Sequence, residues 1–186
     1  MMPQQREAYT VEVAGLKRDL PIFEVAPGVR IAILNILGDT ELVQAAAHAL
    51  AERLRDKNGD ILVTAEAKSI PLIYQLALEL NMPWVVLRKR YKPYMGNALT
   101  AETMSITTGE PQTLFLDEKD VDKFRGKRVI IVDDVISTGS TLQSMQMLVM
   151  KAGGTVVGQA AIFTEGDRAK WQNIIALGHL PIFTDQ

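Results

Sequence analysis

Residues 128–141 read Arg-Val-Ile-Ile-Val-Asp-Asp-Val-Ile-Ser-Thr-Gly-Ser-Thr, and this stretch decides the fold. The apolar run at 129–132 predicts a strand that is buried on both faces. Two acids, Asp133 and Asp134, follow at its carboxyl end. A loop of small and hydroxyl residues comes next, and apolar residues at helical spacing then predict a helix over Ser140–Lys151. Strand, polar loop and helix in this order are typical of a sheet with helices on its faces.

The sequence on either side of this stretch also alternates between helix and strand. Helical periodicity predicts one helix over residues 39–57 and a second that begins near Pro71 and reaches Leu80. Unalternating apolar runs predict buried strands, at residues 61–63, 84–87 and 155–163. The predicted fold class is therefore α/β, a doubly wound and mostly parallel sheet covered on both faces.

Two segments do not follow this alternation. Residues 1–38 predict a small N-terminal hood, irregular or β-rich. Residues 89–117 are polar and too long for an ordinary connection, and loops of this length usually act as lids or are disordered, which predicts a flexible lid. With 186 residues, the whole chain is expected to form one domain.

Composition excludes several classes of protein. The chain is 47% hydrophobic and 23% charged, unlike a disordered protein. Its formal charge of −2 argues against autonomous binding to nucleic acid, and the absence of cysteine excludes disulfides and thiolate chemistry. The apolar runs are far shorter than the ~20 residues that span a bilayer. The first ten residues also lack the apolar core of a signal peptide, so we expect a cytoplasmic protein without membrane contact.

The hydroxyl-rich loop after the acid pair has the composition of an anion site. Ser, Thr and Gly let several backbone N–H groups converge on one anion at a helix N-terminus, and the hydroxyls add donors. Adjacent carboxylates cannot bind that anion, but they suit sugar hydroxyls or a cation near phosphates. One ligand that carries a phosphate, vicinal hydroxyls and a magnesium-bound diphosphate satisfies every part. The alternative is a strand, acidic turn and helix cap in some other doubly wound protein.

This arrangement resembles the phosphoribosyl pyrophosphate (PRPP) loop of the type I phosphoribosyltransferases. The resemblance implies that Asp133 and Asp134 hold the ribose hydroxyls, serve catalysis and lie beside the Mg²⁺ that arrives with PRPP. It also implies that the 5′-phosphate is held by five loop residues, Ser137, Thr138, Gly139, Ser140 and Thr141. The sequence contains neither the Walker A pattern nor GxGxxG, the two other common phosphate-binding motifs.

Further residues are assigned by the same resemblance. The family's short pyrophosphate loop, which often holds a cis peptide, corresponds to Ala65, Glu66, Ala67, Lys68 and Ser69. Arg88 and Lys89 match the basic cluster that contacts pyrophosphate, with Lys89 also counted as catalytic, and Lys92 begins the lid. Phe163 could stack on a base or pack in the core. Each basic residue also has a simpler interpretation as a solvated surface charge.

The resemblance favours the purine branch of the family. Residues 28–39 are similar to adenine and xanthine phosphoribosyltransferases, and residues 65–70 are also close to the Bacillus purine repressor, a relative without transferase activity. Thr107 and Thr108 stand where adenine enzymes carry Glu and Tyr, and Ala32-Ile33 where they usually show Arg-Asp.

We therefore expect transfer of ribose 5-phosphate from PRPP to a purine base, adenine before xanthine, hypoxanthine or guanine. The family also implies a homodimer. A PRPP-binding regulatory protein without turnover is the alternative function, and a generic anion-binding module is a third.

Overall fold

A computed structural model describes residues 7–104 and 111–184 of the chain. Its strands are β1 (Ala8–Val13), β2 (Leu16–Ala26), β3 (Val29–Ala32), β4 (Ile61–Ala65), β5 (Trp84–Leu87), β6 (Leu99–Met104), β7 (Pro111–Leu116), β8 (Arg128–Ile136), β9 (Thr155–Glu165), β10 (Ile175–Leu180) and β11 (Ile182–Thr184). Its helices are α1 (Thr40–Leu54), α2 (Ile70–Leu80), α3 (Glu118–Val121) and α4 (Ser140–Lys151). None of the helices in the described part of the chain has the length and apolarity needed to cross a membrane.

The central sheet has the order β10-β9-β8-β4-β5, and every neighbouring pair in it is parallel. This confirms the predicted fold class. The chain proceeds from β4 to β5 on one side and then to β8 on the other, so the strand order reverses between β4 and β8. Ligands of such sheets bind beyond the carboxyl ends of the strands at this reversal. The two loops predicted to hold a ligand both begin there.

Continuous apolar runs place the sheet between two hydrophobic clusters. On one face, α1, α2 and the inner side of the hood pack against Leu62, Ile130 and Val132. On the other face, α4 and the β6–β7 hairpin pack against residues that alternate with these, such as Val63 and Ile131. Both faces are covered, which is why these strands are apolar without alternation.

The N-terminal hood is an antiparallel sheet of the order β1-β2-β3-β11, so of the two predicted forms the β-rich one is correct. Its last strand, β11, comes from the C-terminal end of the chain and pairs with β3. Neither β11 nor the edge strand β10 was predicted. β11 has only three residues, too few to show a periodicity, and its place is fixed by its partner.

The predicted lid over residues 89–117 contains regular structure, which the sequence did not predict. β6 and β7 form an antiparallel hairpin. Its inward residues, among them Ala101 and Leu116, are buried in the same cluster as α4. The hairpin is held because alternate residues of β6 are buried, the pattern of a strand with one face on a core. Thr107 and Thr108 lie outside the described residues.

Candidate active site

The acid pair lies at the point where the strand order reverses. β8 continues to Ile136, so Asp133 and Asp134 belong to the strand itself and do not follow it, as the sequence had suggested. Asp134 is only 6% exposed. The backbone N–H of Asp134 donates to Asp133 Oδ1 over 2.9 Å, and Ser69 Oγ donates to the same oxygen over 2.8 Å. The predicted pyrophosphate loop and the acid pair are thus in direct contact.

Two carboxylates this close perturb one another. Burial, followed by the neighbouring Asp134 charge, raises the pKa of Asp133 from its ordinary value to about 7. Lys68 offsets part of this negative charge, since its Nζ lies 3.3 Å from Asp134 Oδ2. The same Nζ donates to the backbone oxygen of Leu34 over 3.0 Å. Lys68 therefore joins the acid pair to the segment that leaves the hood.

The loop after β4 has the backbone feature that the resemblance implied, because the peptide between Glu66 and Ala67 is cis. The Glu66 side chain, however, turns towards the next strand. Its carboxylate accepts from Arg88 Nε over 2.6 Å and from the backbone N–H of Lys89 over 2.7 Å. Among the predicted loop residues, Lys68 and Ser69 are the two whose side chains meet the acid pair.

The three predicted basic residues have different surroundings. Arg88 is held by Glu66 of the predicted pyrophosphate loop and lines a groove along the edge strand β5 together with Trp84. Lys89 instead lines a cavity of about 210 Å³ whose other walls include Thr141 of that loop. Lys92 is exposed at the start of a short 3₁₀ turn, and none of its described contacts reaches the acid pair.

The loop between β8 and α4 has the conformation that the sequence required. Gly139 has a φ of +87° and caps α4 without a side-chain hydrogen bond, so backbone N–H groups of the first helical turn remain available to an anion. Thr138 Oγ1 and Ser140 Oγ are hydrogen-bonded over 3.0 Å. A groove of about 670 Å³ runs between these residues and Trp171. The hydroxyls of the loop therefore border open space.

Ser137 behaves differently from the other hydroxyl residues of the loop, because it donates a hydrogen bond to Glu165 Oε1. Glu165 ends β9 and is 4% exposed, and burial raises the pKa of its carboxyl. The register that pairs Ile136 with Thr164 brings the two side chains together. Sequence reasoning did not single out Glu165. The available signal was an acid placed directly after a continuous apolar strand.

The suggestion that Phe163 stacks on a base is not supported by its position. Phe163 is 2% exposed and belongs to the hydrophobic cluster of the sheet. The neighbouring strand β10 passes so close that a Cβ added at Gly178 would lie 2.6 Å from Phe163 Cε1. Core packing, the other interpretation of this residue, is correct.

Comparison with known proteins identifies the family. Residues 33–177 match the phosphoribosyl transferase domain. The chain belongs to this family. This phosphoribosyl transferase domain is 32% identical to the adenine phosphoribosyltransferase of Thermosipho africanus (strain TCF52B) over 167 residues, which cover 86% of the chain and 94% of that protein. It is 33% identical to the hypoxanthine/guanine phosphoribosyltransferase of Methanococcus voltae over 146 residues, covering 78% and 71%.

Two further comparisons are with a regulatory protein and with a solved structure. The phosphoribosyl transferase domain is 28% identical to the purine biosynthesis transcriptional repressor of Bacillus subtilis over 134 residues, which cover 72% of the chain and 46% of that protein. Its fold matches that of the adenine phosphoribosyltransferase from Thermoanaerobacter pseudethanolicus with a TM-score of 0.66 and 24% identity, covering 92% of this chain and 95% of that one. The domain therefore has the type I phosphoribosyltransferase fold.

Proposed function

We propose that the protein transfers ribose 5-phosphate from PRPP to a purine base, with adenine as the preferred base, giving a nucleoside monophosphate and pyrophosphate. The observation that carries this proposal is the contact between the loop after β4 and strand β8 at the strand-order reversal, where Ser69 donates to Asp133. Family membership over residues 33–177 supports the same conclusion.

In this proposal the acid pair binds the vicinal hydroxyls of the ribose, because a carboxylate accepts hydrogen bonds and cannot hold a phosphate. The 5′-phosphate binds at the N-terminus of α4, where Gly139 has no side chain to cap the first turn and the helix dipole favours negative charge. The diphosphate lies between Lys68 and Lys89. No covalent intermediate is required, since positioning and stabilisation of the leaving pyrophosphate supply the catalysis.

The donor set agrees with a magnesium ion that is held mainly by the substrate. Among the described residues, no three His, Asp or Glu side chains come together to hold a metal. Asp134 Oδ2 is buried and makes no hydrogen bond there, and it faces the Lys68 ammonium at 3.3 Å, so a cation or its water could meet this oxygen once Lys68 turns to the diphosphate. Mg²⁺ commonly binds one or two carboxylates together with substrate phosphates and waters. Its chemistry would be to neutralise charge on the diphosphate.

The preference for adenine rests on the relative named for adenine and on the apolar hood sequence. Ala32, at the end of β3, and Leu34 and Ile36 after it are buried in the core, so their side chains supply no polar group that would select a 6-oxopurine. An apolar pocket discriminates weakly. Relatives named for adenine and for hypoxanthine/guanine agree with modest selectivity, and hypoxanthine, guanine and xanthine are the alternative substrates.

A screen of pyrophosphate release tests this function. The protein is incubated with PRPP and Mg²⁺ and with adenine, hypoxanthine, guanine, xanthine or a pyrimidine in turn. We expect release with adenine first, less with the other purines, and none without Mg²⁺. Asp134→Asn should abolish release, whereas Asp60→Asn, which alters an acid beside Arg128, should retain it. Release with pyrimidines alone would contradict the proposal.

The second candidate is a PRPP-binding regulatory protein, favoured by the similarity to the Bacillus subtilis repressor. Tight binding of Mg²⁺–PRPP by calorimetry, without turnover of any base, would select it.

A homodimer and a single domain over residues 1–186 remain part of the proposal. Light scattering and a single cooperative unfolding transition would test them.

A further inference from the structure

One buried acid, Glu165, has no role in the transfer reaction proposed for this protein. Glu165 is 4% exposed, and its carboxylate accepts a hydrogen bond from Ser137 in the phosphate loop. A buried carboxylate is unfavourable unless it is paired or serves chemistry. Burial raises the pKa of this carboxyl, and a hydrogen-bonded acid with a raised pKa is suited to take up a proton.

The register of the sheet places this acid near the acid pair. Glu165 ends β9, the parallel neighbour of β8, so it lies at the same carboxyl edge of the sheet as Asp133 and Asp134. Lys68 joins the acid pair to the hood at this edge, since its ammonium lies 3.3 Å from Asp134 Oδ2 and donates to Leu34 O. Glu165 is therefore at the edge of the sheet that faces the space between the hood and the sheet. With the ribose hydroxyls at the acid pair, a base bound to the sugar would lie in this space.

The proposed reaction requires a proton acceptor beside that base. A free purine carries one proton on its imidazole ring. The N9–C1′ bond forms while the bond from C1′ to the diphosphate oxygen breaks, and that electron pair leaves with pyrophosphate. The ring N–H proton must then depart for the product base to be neutral. The Ser137 hydroxyl donates its own proton to Glu165, so its oxygen lone pairs can accept another.

We propose that Ser137 and Glu165 form a proton relay that deprotonates the incoming base. The ring N–H proton passes to Ser137 Oγ while the serine hydroxyl proton passes to the Glu165 carboxylate, and water takes it up after the products leave. Ser137 contacts the base, and Glu165 acts through Ser137. This inference rests on the proposed purine transfer. It gives Ser137 a role different from the phosphate contact expected for the rest of the loop.

Single-turnover formation of nucleotide from adenine and Mg²⁺–PRPP tests the relay. Glu165→Gln keeps an acceptor for the Ser137 hydroxyl but cannot take its proton. We expect the rate to fall on the order of 10²–10³-fold, the size of a lost general base, with PRPP affinity unchanged by calorimetry. Ser137→Ala should cause a loss of similar size. The exposed acid Glu12 of β1 provides the matched control, because Glu12→Gln changes the net charge equally and should keep the rate.

Two readouts separate a proton relay from a structural role. 8-Azaadenine has a more acidic ring N–H than adenine and depends less on a base. The fall in its single-turnover rate in Glu165→Gln should therefore be roughly tenfold smaller than the fall with adenine. The wild-type rate should also fall as the pH drops through the raised pKa of Glu165. This fall on the acidic side of the pH–rate profile should be absent in Glu165→Gln. Among the described residues, Lys68 and His179 are the other titratable groups that act on Glu165. To assign the loss of rate at low pH to Glu165, the His179→Gln variant must show the same loss.

The outcomes distinguish the relay from the function on which it rests. No turnover of any purine by the wild-type protein would overturn both. An active wild type with an equally fast Glu165→Gln would overturn the relay alone. If Glu165→Gln does not fold, Ser137→Ala decides, and equal losses with adenine and 8-azaadenine in that variant would refute the relay.

Discussion

Asp133→Asn should stabilise the ligand-free protein while it removes the ability to bind PRPP. Asp133 is placed next to Asp134, and both burial and that neighbour raise its pKa to about 7. Asparagine has nearly the same shape, and its Oδ1 can still accept from Ser69 Oγ and from the Asp134 N–H, the two donors that Asp133 has now. The substitution therefore removes an unfavourable charge and keeps both hydrogen bonds.

The sign and the size of the effect follow from the pKa. A carboxyl whose pKa is raised by folding contributes stability below its unfolded pKa, near 4, and this contribution is lost as the pH rises through the folded value. The gain from Asp133→Asn should thus be close to zero at pH 4 and complete at pH 8. One pKa unit corresponds to about 1.4 kcal/mol. Because water screens a half-buried carboxylate, we expect a gain of about 1–2 kcal/mol, well below the full shift.

Urea unfolding at pH 4 and at pH 8, without Mg²⁺ or PRPP, measures this difference. Asp60→Asn is the matched control, because hydrogen bonds from Arg128 hold the pKa of Asp60 at about 2. That variant should lose stability at pH 8, the opposite sign. Calorimetry with Mg²⁺–PRPP should show binding by the Asp60 variant and none by Asp133→Asn. A loss of stability at pH 8 in Asp133→Asn, or a gain of the same size at pH 4, would refute the reasoning.

Three other outcomes follow from the site. Gly139→Ala should lower the free energy of unfolding in urea by about 1–3 kcal/mol, because φ is +87° and the new Cβ would lie 2.8 Å from Trp171. Gly15→Ala, at φ +77° with open space around it, should lower it by less, and equal losses would argue against the Trp171 contact. Lys89→Ala should raise the KM for PRPP more than Arg88→Ala does, since Lys89 shares a cavity with Thr141 while Arg88 is paired with Glu66. A larger KM in Arg88→Ala, measured by steady-state kinetics, would refute the placement of Lys89 beside the diphosphate. Leu116→Ala in the hairpin should cost about 2–5 kcal/mol because Leu116 is fully buried, and a near-zero change in thermal or chemical unfolding would mean that the hairpin is not part of the core.

The sequence by itself determined the central elements of this fold, since their patterns are local. Helix α4 has the predicted bounds Ser140–Lys151, and strand β5 has the predicted bounds Trp84–Leu87. The order of apolar run, acid pair, small-residue loop and helix also placed the candidate site at the carboxyl end of β8, which lies at the strand-order reversal. Periodicity and turn composition act over a few residues, so one sequence suffices to read them.

Only the tertiary structure decided which side chains meet. Ser69 and Asp133 are 64 residues apart, and Ser137 and Glu165 are 28 apart. These contacts depend on strand order and register, which bring distant residues to one edge of the sheet and which local patterns do not encode. Arg88 faces Glu66 for the same reason, and β11 acquires its place from β3. The sequence therefore predicted where the candidate site lies, while the packing of distant strands decided which acids and bases meet there.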